Sequence, residues 1–409
     1  MDSHKLSIII QRGTNQIGGS CVEIATANTR ILIDIGLPLD SVVKRPEDRK
    51  QYLPKIEGHI DAVFISHYHL DHHGLVSEID PSIPVYVSAG TAKMFGINAV
   101  FLRMSKVENL RIIDTQTPVI IGDIKITAYT VDHSAYDAMA FLIEAEGKQV
   151  LYSGDIRTHG VKGILYENLP QNVDYLILEG TNIGNSEYRS KTEKEIKDQF
   201  VELFKKYPER INYVWCSGQN IDRLVQIYIA CLKTGKTFVA DLYVANVLHE
   251  IHQLNPKIPS PYSHSNFRVW YTKYQELKEN ENLAYRLKHF KIKSKEIAVT
   301  PEKYVVIIRP TLLKYIQKID AVQANVVTSI WKDYEIRTEN ESFFDWVDKK
   351  GYKRTHYHTS GHADQDGLKM IVNHISPKAI IPIHTVNKAI YSEIFDNVVL
   401  LDDGENFDL

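Results

Sequence analysis

Residues 66–74, SHYHLDHHG, place four histidines and one aspartate within seven consecutive positions. They follow the apolar run DAVFI, whose β-branched and aromatic side chains predict a strand. Because side chains alternate at the end of a strand, His67 and His69 can face one metal ion. Asp71 and His72 suit a turn that opens a helix, and they can face a second position. Imidazole and carboxylate groups without a thiolate favour zinc or manganese, so the stretch predicts a metal site.

The length and composition are those of a globular protein with more than one domain. The chain has 409 residues, and this length is more than one compact core usually holds. Of these residues 44% are apolar and 24% are charged. No segment approaches the ~18–20 apolar residues of a membrane-spanning helix, and the apolar run near the N-terminus is too short for a signal peptide. The three cysteines are widely spaced, which favours reduced thiols. These features predict a cytoplasmic protein.

One segment departs from the formal net charge of −3. Residues 286–295, RLKHFKIKSK, contain five lysine or arginine residues and no acidic residue. Such a charge run is either a solvated face or a patch that follows phosphate groups. The sequence leaves both interpretations open.

The pattern of predicted elements changes twice along the chain. Strand-like segments such as LSIII, RILIDI and VDYLILEG dominate the first 180 residues. The segment TEKEIKDQFVELFKKY then begins with the capping-box residues Thr192 and Glu195, and the strand–helix alternation after it predicts a parallel sheet. The first pattern returns near residue 355. We therefore predict one domain formed by residues 1–188 and 353–409, interrupted by an inserted domain at 189–352.

The H-x-H-x-D-H pattern resembles that of the metallo-β-lactamase superfamily. Other motifs of this superfamily stand in the expected order along the chain: LIDIG contains Asp34, TVDHSAYDAMAF contains His133, and YSGDIR contains Asp155. The resemblance implies an α/β protein with the four-layered αββα sandwich of that superfamily.

Three further motifs resemble motifs A, B and C of the β-CASP nucleases within this superfamily. They are LILEGTN with Glu179, HTSGHAD with His362, and IIPIHT with His384. The segment CSGQNIDR, with Arg223, resembles the start of the β-CASP insertion. The resemblance covers nearly the whole chain and implies that the inserted domain is a β-CASP α/β domain.

The nearest groups by resemblance are ribonuclease J and the cleavage-and-polyadenylation-type nucleases. The C-terminal dimerisation domain of the first group and the KH domains of the second are not expected here. Residues 323–334, QANVVTSIWKDY, differ from the glycine- and glutamine-bearing phosphate loop of ribonuclease J. A 5′-monophosphate pocket, and with it the choice between exonuclease and endonuclease action, is therefore left open.

The resemblance also implies roles for single residues. His67, His69 and His133 would hold one metal ion, and Asp71, His72 and His384 the other, with Asp155 between them. Asp34 would support the ligands from outside. The implied catalytic residues are Asp71, Glu179 and His362, and the implied substrate-binding residues are Ser360, Gly361, His362 and Arg223. His73 lies outside this set and is predicted to be a surface or supporting side chain.

Together these features predict a two-metal ribonuclease that hydrolyses phosphodiester bonds of single-stranded RNA. Metal-activated hydroxide would act in a cleft between the two domains. Zinc is the favoured cofactor and manganese the alternative. Within the β-CASP group, a histidine at motif C is associated with RNA substrates. A DNA nuclease of repair or defence and a hydrolase of small esters or lactams are the competing hypotheses. RNA is the expected partner and DNA the alternative; no membrane contact is expected, and a homodimer is left open.

Overall fold

The computed structural model describes residues 5–43, 45–101, 104–185, 188–272 and 281–409. By internal contacts the chain divides into two compact units. The first unit is Met1–Ser190 with Gly361–Leu409, and the second is Lys191–Ser360.

Strands and α-helices are numbered in chain order. The strands are β1 (Ser7–Arg12), β2 (Cys21–Ala25), β3 (Arg30–Ile33), β4 (Ala62–Phe64), β5 (Val85–Val87), β6 (Leu110–Ile112), β7 (Val119–Ile121), β8 (Ile124–Thr130), β9 (Met139–Ala145), β10 (Lys148–Tyr152), β11 (Tyr175–Glu179), β12 (Ile211–Cys216), β13 (Thr237–Asp241), β14 (Phe267–Trp270), β15 (Lys291–Ile292), β16 (Tyr304–Ile308), β17 (Ala324–Ser329), β18 (Lys353–His356), β19 (Ala379–Ile383) and β20 (Asn406–Asp408). The helices are α1 (Leu70–His73), α2 (Ala89–Phe101), α3 (Glu193–Lys206), α4 (Ile221–Thr234), α5 (Leu242–His252), α6 (Glu281–Arg286), α7 (Ser294–Val299), α8 (Leu313–Ile316), α9 (Glu341–Lys349), α10 (Gln365–Ile375) and α11 (Tyr391–Ile394).

Two sheets build the first unit. The first has the strand order β20-β1-β2-β3-β4-β5-β6, and the second has the order β19-β11-β10-β9-β8-β7. Their inner faces share one apolar core, which includes Ile8 and Ile24 from the first sheet and Phe141 and Ile143 from the second. Two sheets that bury their inner faces in this way form a sandwich.

Helices cover the outer faces of this sandwich. Leu368 and Ile375 of α10 are buried together with Leu142 of β9, on the outer face of the second sheet. Since side chains alternate along a strand, Leu142 faces the helix while Phe141 and Ile143 face the other sheet. Helix α2 contacts the edge strand β6 of the first sheet. The predicted αββα architecture of the metallo-β-lactamase type is confirmed.

The second unit is built on a single parallel sheet. Its strand order is β15-β14-β13-β16-β12-β17-β18, and every pairing within it is parallel. The capping box predicted before α3 is present, because Thr192 Oγ1 accepts the backbone N–H of Glu195 at 3.1 Å and Glu195 Oε2 accepts that of Thr192 at 2.7 Å. The predicted α/β insertion with a parallel sheet is thus confirmed.

The end of the inserted unit differs from the sequence prediction. We predicted that it ends at residue 352, whereas the second unit runs to Ser360. The reason is β18, which pairs with β17 and extends the parallel sheet of the second unit. All four residues of its sequence, KRTH, are polar or charged and three of them are exposed, so it carries no apolar signal for a strand. The other boundary lies after Ser190, close to the predicted residue 188.

Candidate metal centre

The stretch that predicts the metal site lies directly after β4. His67 and His69 follow the strand, and Leu70 begins the single turn of α1, which carries Asp71 and His72. The turn lies against Gly36, where an added Cβ would be 1.8 Å from the carbonyl oxygen of Asp71. Only glycine therefore allows the backbone of α1 to approach this closely.

The first group of potential ligands consists of His67, His69, His133 and Asp155. One ligand atom from each lies within 4.8 Å of all the others. Oδ2 of Asp155 is 3.6 Å from Nε2 of His67 and 3.7 Å from Nε2 of His133. Nδ1 of His133 lies 2.6 Å from the carbonyl oxygen of Gly361, so this nitrogen carries the proton and Nε2 keeps its lone pair for an ion.

The second group consists of Asp71, His72 and His384. Nε2 of His384 lies 3.3 Å from Oδ2 of Asp71. Asp155 joins this group to the first, because its Oδ2 is 3.1 Å from Nε2 of His72 and its Oδ1 is 3.8 Å from Nε2 of His384. The structure therefore brings together every residue that we predicted as a metal ligand.

Three atoms of these groups test whether metal ions fit. Nε2 of His67, Nε2 of His72 and Oδ1 of Asp155 are buried and have no hydrogen-bond partner. Buried polar atoms are normally paired, because leaving one unpaired costs roughly 1–3 kcal/mol. A lone pair on each atom and a set of imidazoles and carboxylates are the chemistry that zinc or manganese needs, so the residues fit the predicted ions.

Asp34, which we predicted to support the ligands, contacts the second group. Its Oδ2 accepts a hydrogen bond from Nδ1 of His72 at 2.7 Å and another from the hydroxyl of Tyr152 at 2.8 Å. Its Oδ1 accepts the backbone N–H of Ser66 at 2.7 Å. The proton on Nδ1 of His72 leaves Nε2 as the ligand atom. Asp34 is fully buried and has a φ of 58°, a conformation that non-glycine residues adopt at a cost, typically at functional sites.

His362 and Glu179 lie at the side of the two groups. Nδ1 of His362 is 3.3 Å from Oε1 of Glu179 and 3.7 Å from Oδ2 of Asp155. Burial disfavours the charged imidazole, but the two carboxylates outweigh this effect and raise the pKa of His362 to about 9. The side chain of His362 is 20% exposed, whereas those of His67, His72 and His133 are fully buried. His362 is therefore partly exposed, like His69, and within reach of a substrate.

Thr181 is a site residue that the sequence analysis missed. Its hydroxyl lies 2.8 Å from Nδ1 of His384 and 3.1 Å from Nδ1 of His362, so it connects a predicted ligand with a predicted catalytic residue. The sequence feature that could have indicated Thr181 is its position in EGTN, two residues after Glu179 at the end of β11. His384 itself has a φ of 53°, a second strained backbone position at the site.

Along the chain, Ser360 is the last residue of the second unit and Gly361 is the residue at which the first unit resumes. Beyond accepting the proton of His133, Gly361 has no room for a side chain, because a Cβ would lie 2.6 Å from Oγ of Ser134. Ser360 is partly buried. Their predicted contact with phosphate groups stays a prediction.

Arg223 does not have the position that we predicted for a substrate-binding residue. Its side chain is fully buried in the second unit, where Nε and Nη2 contact the carboxylate of Glu193 at 2.9 and 3.0 Å. Nη1 contacts Oγ of Ser329 and, at 3.5 Å, the carbonyl of Tyr357, and Nη2 lies 3.4 Å from the carbonyl of Thr359. The guanidinium is committed to these partners, so the structure assigns it a structural role instead of a contact with phosphate.

His73 stays outside the ligand groups, as predicted, but it is not at the surface. It is 2% exposed, and its ring packs on Phe95 with 4.4 Å between ring centroids. Burial lowers the pKa of His73 to about 3, so the ring is neutral and packs as part of the interior.

Comparisons with known proteins match two families to parts of this chain. A family model described as a beta-lactamase superfamily domain matches residues 29–214, and one described as a Zn-dependent metallo-hydrolase RNA specificity domain matches residues 351–392. The second match contains His362 and His384. No helix in the described part of the chain is long and apolar enough to cross a membrane.

Similar proteins are known from archaea and bacteria. An RNase J-like protein of Methanocaldococcus jannaschii is 28% identical over 60% of this chain and 62% of its own length. A ribonuclease J of Helicobacter pylori is 22% identical over 91% of this chain and 55% of its own length. The chain thus spans little more than half the length of these relatives. The crystal structure of a protein of unknown function from Enterococcus faecalis matches the fold with a TM-score of 0.80 at 20% identity, over 99% of this chain and 100% of that one.

Proposed function

Because the chain belongs to the ribonuclease J-like, β-CASP branch of the metallo-β-lactamase superfamily, we propose that it is a metal-dependent ribonuclease that hydrolyses phosphodiester bonds of single-stranded RNA. The observation that carries the proposal is the position of Asp155, whose carboxylate lies close to both ligand groups. Two divalent cations, when bound by such a pair of groups, supply activation of the attacking water and charge stabilisation at the phosphate.

Zinc is the proposed cofactor and manganese the alternative. Most of the candidate ligands are imidazole nitrogens, joined by the carboxylates of Asp71 and Asp155, and this donor set suits zinc well. Asp34 and Gly361 support zinc binding because each accepts the Nδ1 proton of a ligand histidine and so fixes the ligand nitrogen.

His362 is the proposed proton donor to the leaving oxygen. Glu179 and Asp155 favour its protonated form, and Nδ1 faces Glu179, so Nε2 is the atom that would deliver the proton. Glu179 is held in turn by the backbone N–H of Thr181, at 2.9 Å from Oε2. Glu179 and Thr181 thus orient His362 and are proposed to act through it.

The choice of RNA rests on two kinds of support. The names of the similar proteins and the description of the second family model both refer to RNA. A histidine, His384, stands at the motif that resembles motif C. Neither the RNA specificity nor a homodimer follows from the site geometry, because a metal ligand does not contact a 2′-hydroxyl.

One experiment tests the proposal. The purified, zinc-loaded protein is incubated with single-stranded RNA labelled at the 5′ or the 3′ end, and with matched DNA, and product sizes are read on a sequencing gel. We expect cleavage of RNA in preference to DNA and no cleavage in excess chelator. The comparison of the two labels separates exonuclease from endonuclease action, and substrates with a 5′-monophosphate or a 5′-hydroxyl test for an end requirement.

Two variants make this test specific for the site. Asp71→Ala removes a ligand of the second group and is expected to lower the cleavage rate by at least about 100-fold, more than loss of a supporting residue does. Asp345→Ala removes an exposed aspartate on α9 of the second unit and should leave the rate unchanged. Full activity in Asp71→Ala, or activity in chelator, would overturn the proposal. Preference for DNA would reject the substrate but keep the metal-dependent hydrolase.

A further inference from the structure

The segment 286–295 carries charge that the proposed chemistry does not use. Its five cations and the neighbouring Tyr285 form what we call the basic patch, at the β15 edge of the sheet in the second unit. The members of the basic patch are Tyr285, Arg286, Lys288, Lys291, Lys293 and Lys295.

Buried apolar residues hold the basic patch in place. Leu287 is fully buried, and Ile292 and Ile297, 6% and 0% exposed, belong to the apolar core of the second unit. Ile292 pairs with Trp270 of β14, so the segment is tied to the sheet. Because neighbouring residues of an extended segment alternate, burying Ile292 turns Lys291 and Lys293 outward together.

All five cations of the basic patch are exposed. Within the described residues, no carboxylate lies within ion-pair distance of Arg286, Lys288, Lys293 or Lys295. The nearest acid along the chain, Glu296, accepts the backbone N–H of Lys293 at 2.9 Å. Exposed cations that are not paired with carboxylates of the described residues can attract polyanions.

Aromatic rings lie among these cations. Tyr285 is 68% exposed, and Nζ of Lys288 is 3.7 Å from the centroid of its ring. Tyr262 is 48% exposed and packs on Phe290 with 4.9 Å between ring centroids. A merely solvated lysine face does not need large exposed rings, whereas surfaces for single-stranded nucleic acids combine cations with rings on which bases stack.

We propose that the basic patch is a second binding surface for single-stranded RNA, with lysines on the phosphates and Tyr285 under an unpaired base. The choice of RNA rests on the proposed ribonuclease function. The patch itself rests on separate observations, namely five exposed cations, four of them without a carboxylate of the described residues at ion-pair distance, exposed rings and a buried apolar anchor. It binds RNA without taking part in cleavage, so it increases the affinity for long substrates and leaves the chemical step unchanged.

Binding is measured by fluorescence anisotropy with a labelled single-stranded RNA of about 30 nucleotides, using the full chain with Asp71→Ala so that the RNA stays intact. Lys288→Ala, Lys293→Ala and Lys295→Ala are combined in one variant. Each phosphate contact to a single strand contributes about −0.7 to the slope of log K against log salt. We expect the slope to become shallower by about 2 and the Kd at ~0.15 M salt to rise at least tenfold.

A matched control removes the same charge from the same unit. It combines Lys303→Ala, Lys318→Ala and Lys349→Ala, which are exposed lysines outside the patch. This control should bind RNA as the parent protein does. Tyr285→Ala tests stacking separately, and we expect a Kd for single-stranded RNA at least about fivefold weaker, an unchanged salt slope and no effect on duplex RNA.

Several results would overturn the inference. Unchanged affinity and slope in the triple lysine variant would show that the basic patch is a solvated face. Equal losses for duplex and single strand in Tyr285→Ala would reject base stacking, and tighter binding of an acidic peptide than of RNA would reject the nucleic-acid partner. Cleavage by the triple variant with the active-site aspartate restored is assayed in parallel. Normal cleavage by the triple variant together with unchanged RNA binding would reject the basic patch and leave the proposed ribonuclease standing. Absence of cleavage by the parent protein would reject the proposed ribonuclease alone.

Discussion

Helices α3 and α4 are joined by a buried ion pair between Glu193 and Arg223. Both side chains are fully buried, and two contacts of 2.9 and 3.0 Å join the guanidinium to the carboxylate. This pair decides between two roles for Arg223: a phosphate contact, which its motif suggests, or a structural contact, which its position in the second unit indicates.

Arg223→Met replaces the guanidinium by an apolar chain of similar length and removes the cation that contacts the buried carboxylate of Glu193. Breaking a buried pair in this way costs about 3–5 kcal/mol of unfolding free energy. The lost contacts to the carbonyls of Tyr357 and Thr359 are long, at 3.5 and 3.4 Å, and add little. Arg223→Met combined with Glu193→Leu removes both charges and should recover most of the loss, since an apolar replacement of a buried pair is often neutral.

The assay is urea unfolding of the zinc-loaded protein, followed by circular dichroism, together with kcat and KM for RNA cleavage at a temperature where each variant is folded. We expect a large stability loss in the single variant, recovery in the double variant and little change in KM. Arg111→Met, at an exposed position in the first unit, is the control and should change stability by less than about 0.5 kcal/mol. Wild-type stability in Arg223→Met with a KM raised tenfold would refute the structural role and restore the phosphate contact.

Three further predictions concern the metal site and the pH dependence of stability. Asp34→Asn should weaken zinc binding about 10–100-fold, measured by competition with a chelator. The amide cannot accept all the hydrogen bonds that Asp34 receives from His72, Ser66 and Tyr152. An unchanged zinc affinity would contradict this prediction. Gly36→Ala should lower both the melting temperature and the zinc content, since its Cβ meets the backbone of α1, whereas Gly96→Ala, with open space around it, should leave both nearly unchanged. Burial, and then the charge of Arg223, lower the pKa of His358 to about 3, whereas the pKa is ~6.5 in the unfolded chain. The contribution of neutral His358 to the free energy of unfolding is therefore complete above pH ~6.5. Below that pH the free energy of unfolding falls by up to about 1.4 kcal/mol per pH unit. His358→Gln should therefore flatten the unfolding free energy between pH 6.5 and 5 relative to wild type, and parallel profiles would contradict the assignment.

The histidines and aspartates of the centre were accessible to sequence analysis because their chemistry leaves few alternatives. Residues such as His67 and Asp155 follow apolar strands, β4 in the first sheet and β10 in the second, and the packing of the two sheets brings their side chains together. Thr181 was missed because a threonine after a strand is common, and its contacts depend on His362 and His384, which come much later in the chain.

The burial of individual polar residues could not be predicted from the sequence. Arg223 lies in the first turn of an amphipathic helix, where its direction depends on the packing of α3 against α4. His73 belongs to a histidine-rich stretch, and the sequence does not distinguish a buried histidine that packs on Phe95 from a solvent-exposed one. Both positions are decided by tertiary contacts, which local patterns do not contain.

The order of the strands has a consequence for how this protein is made. Strands β19 and β20 follow the inserted unit in the chain, yet β19 pairs with β11 and β20 pairs with β1. His384 comes directly after β19. A nascent chain that has not reached β19 lacks the last strand of both sheets and the His384 ligand of the second group. The second ligand group is therefore complete only after the chain has passed through the inserted unit.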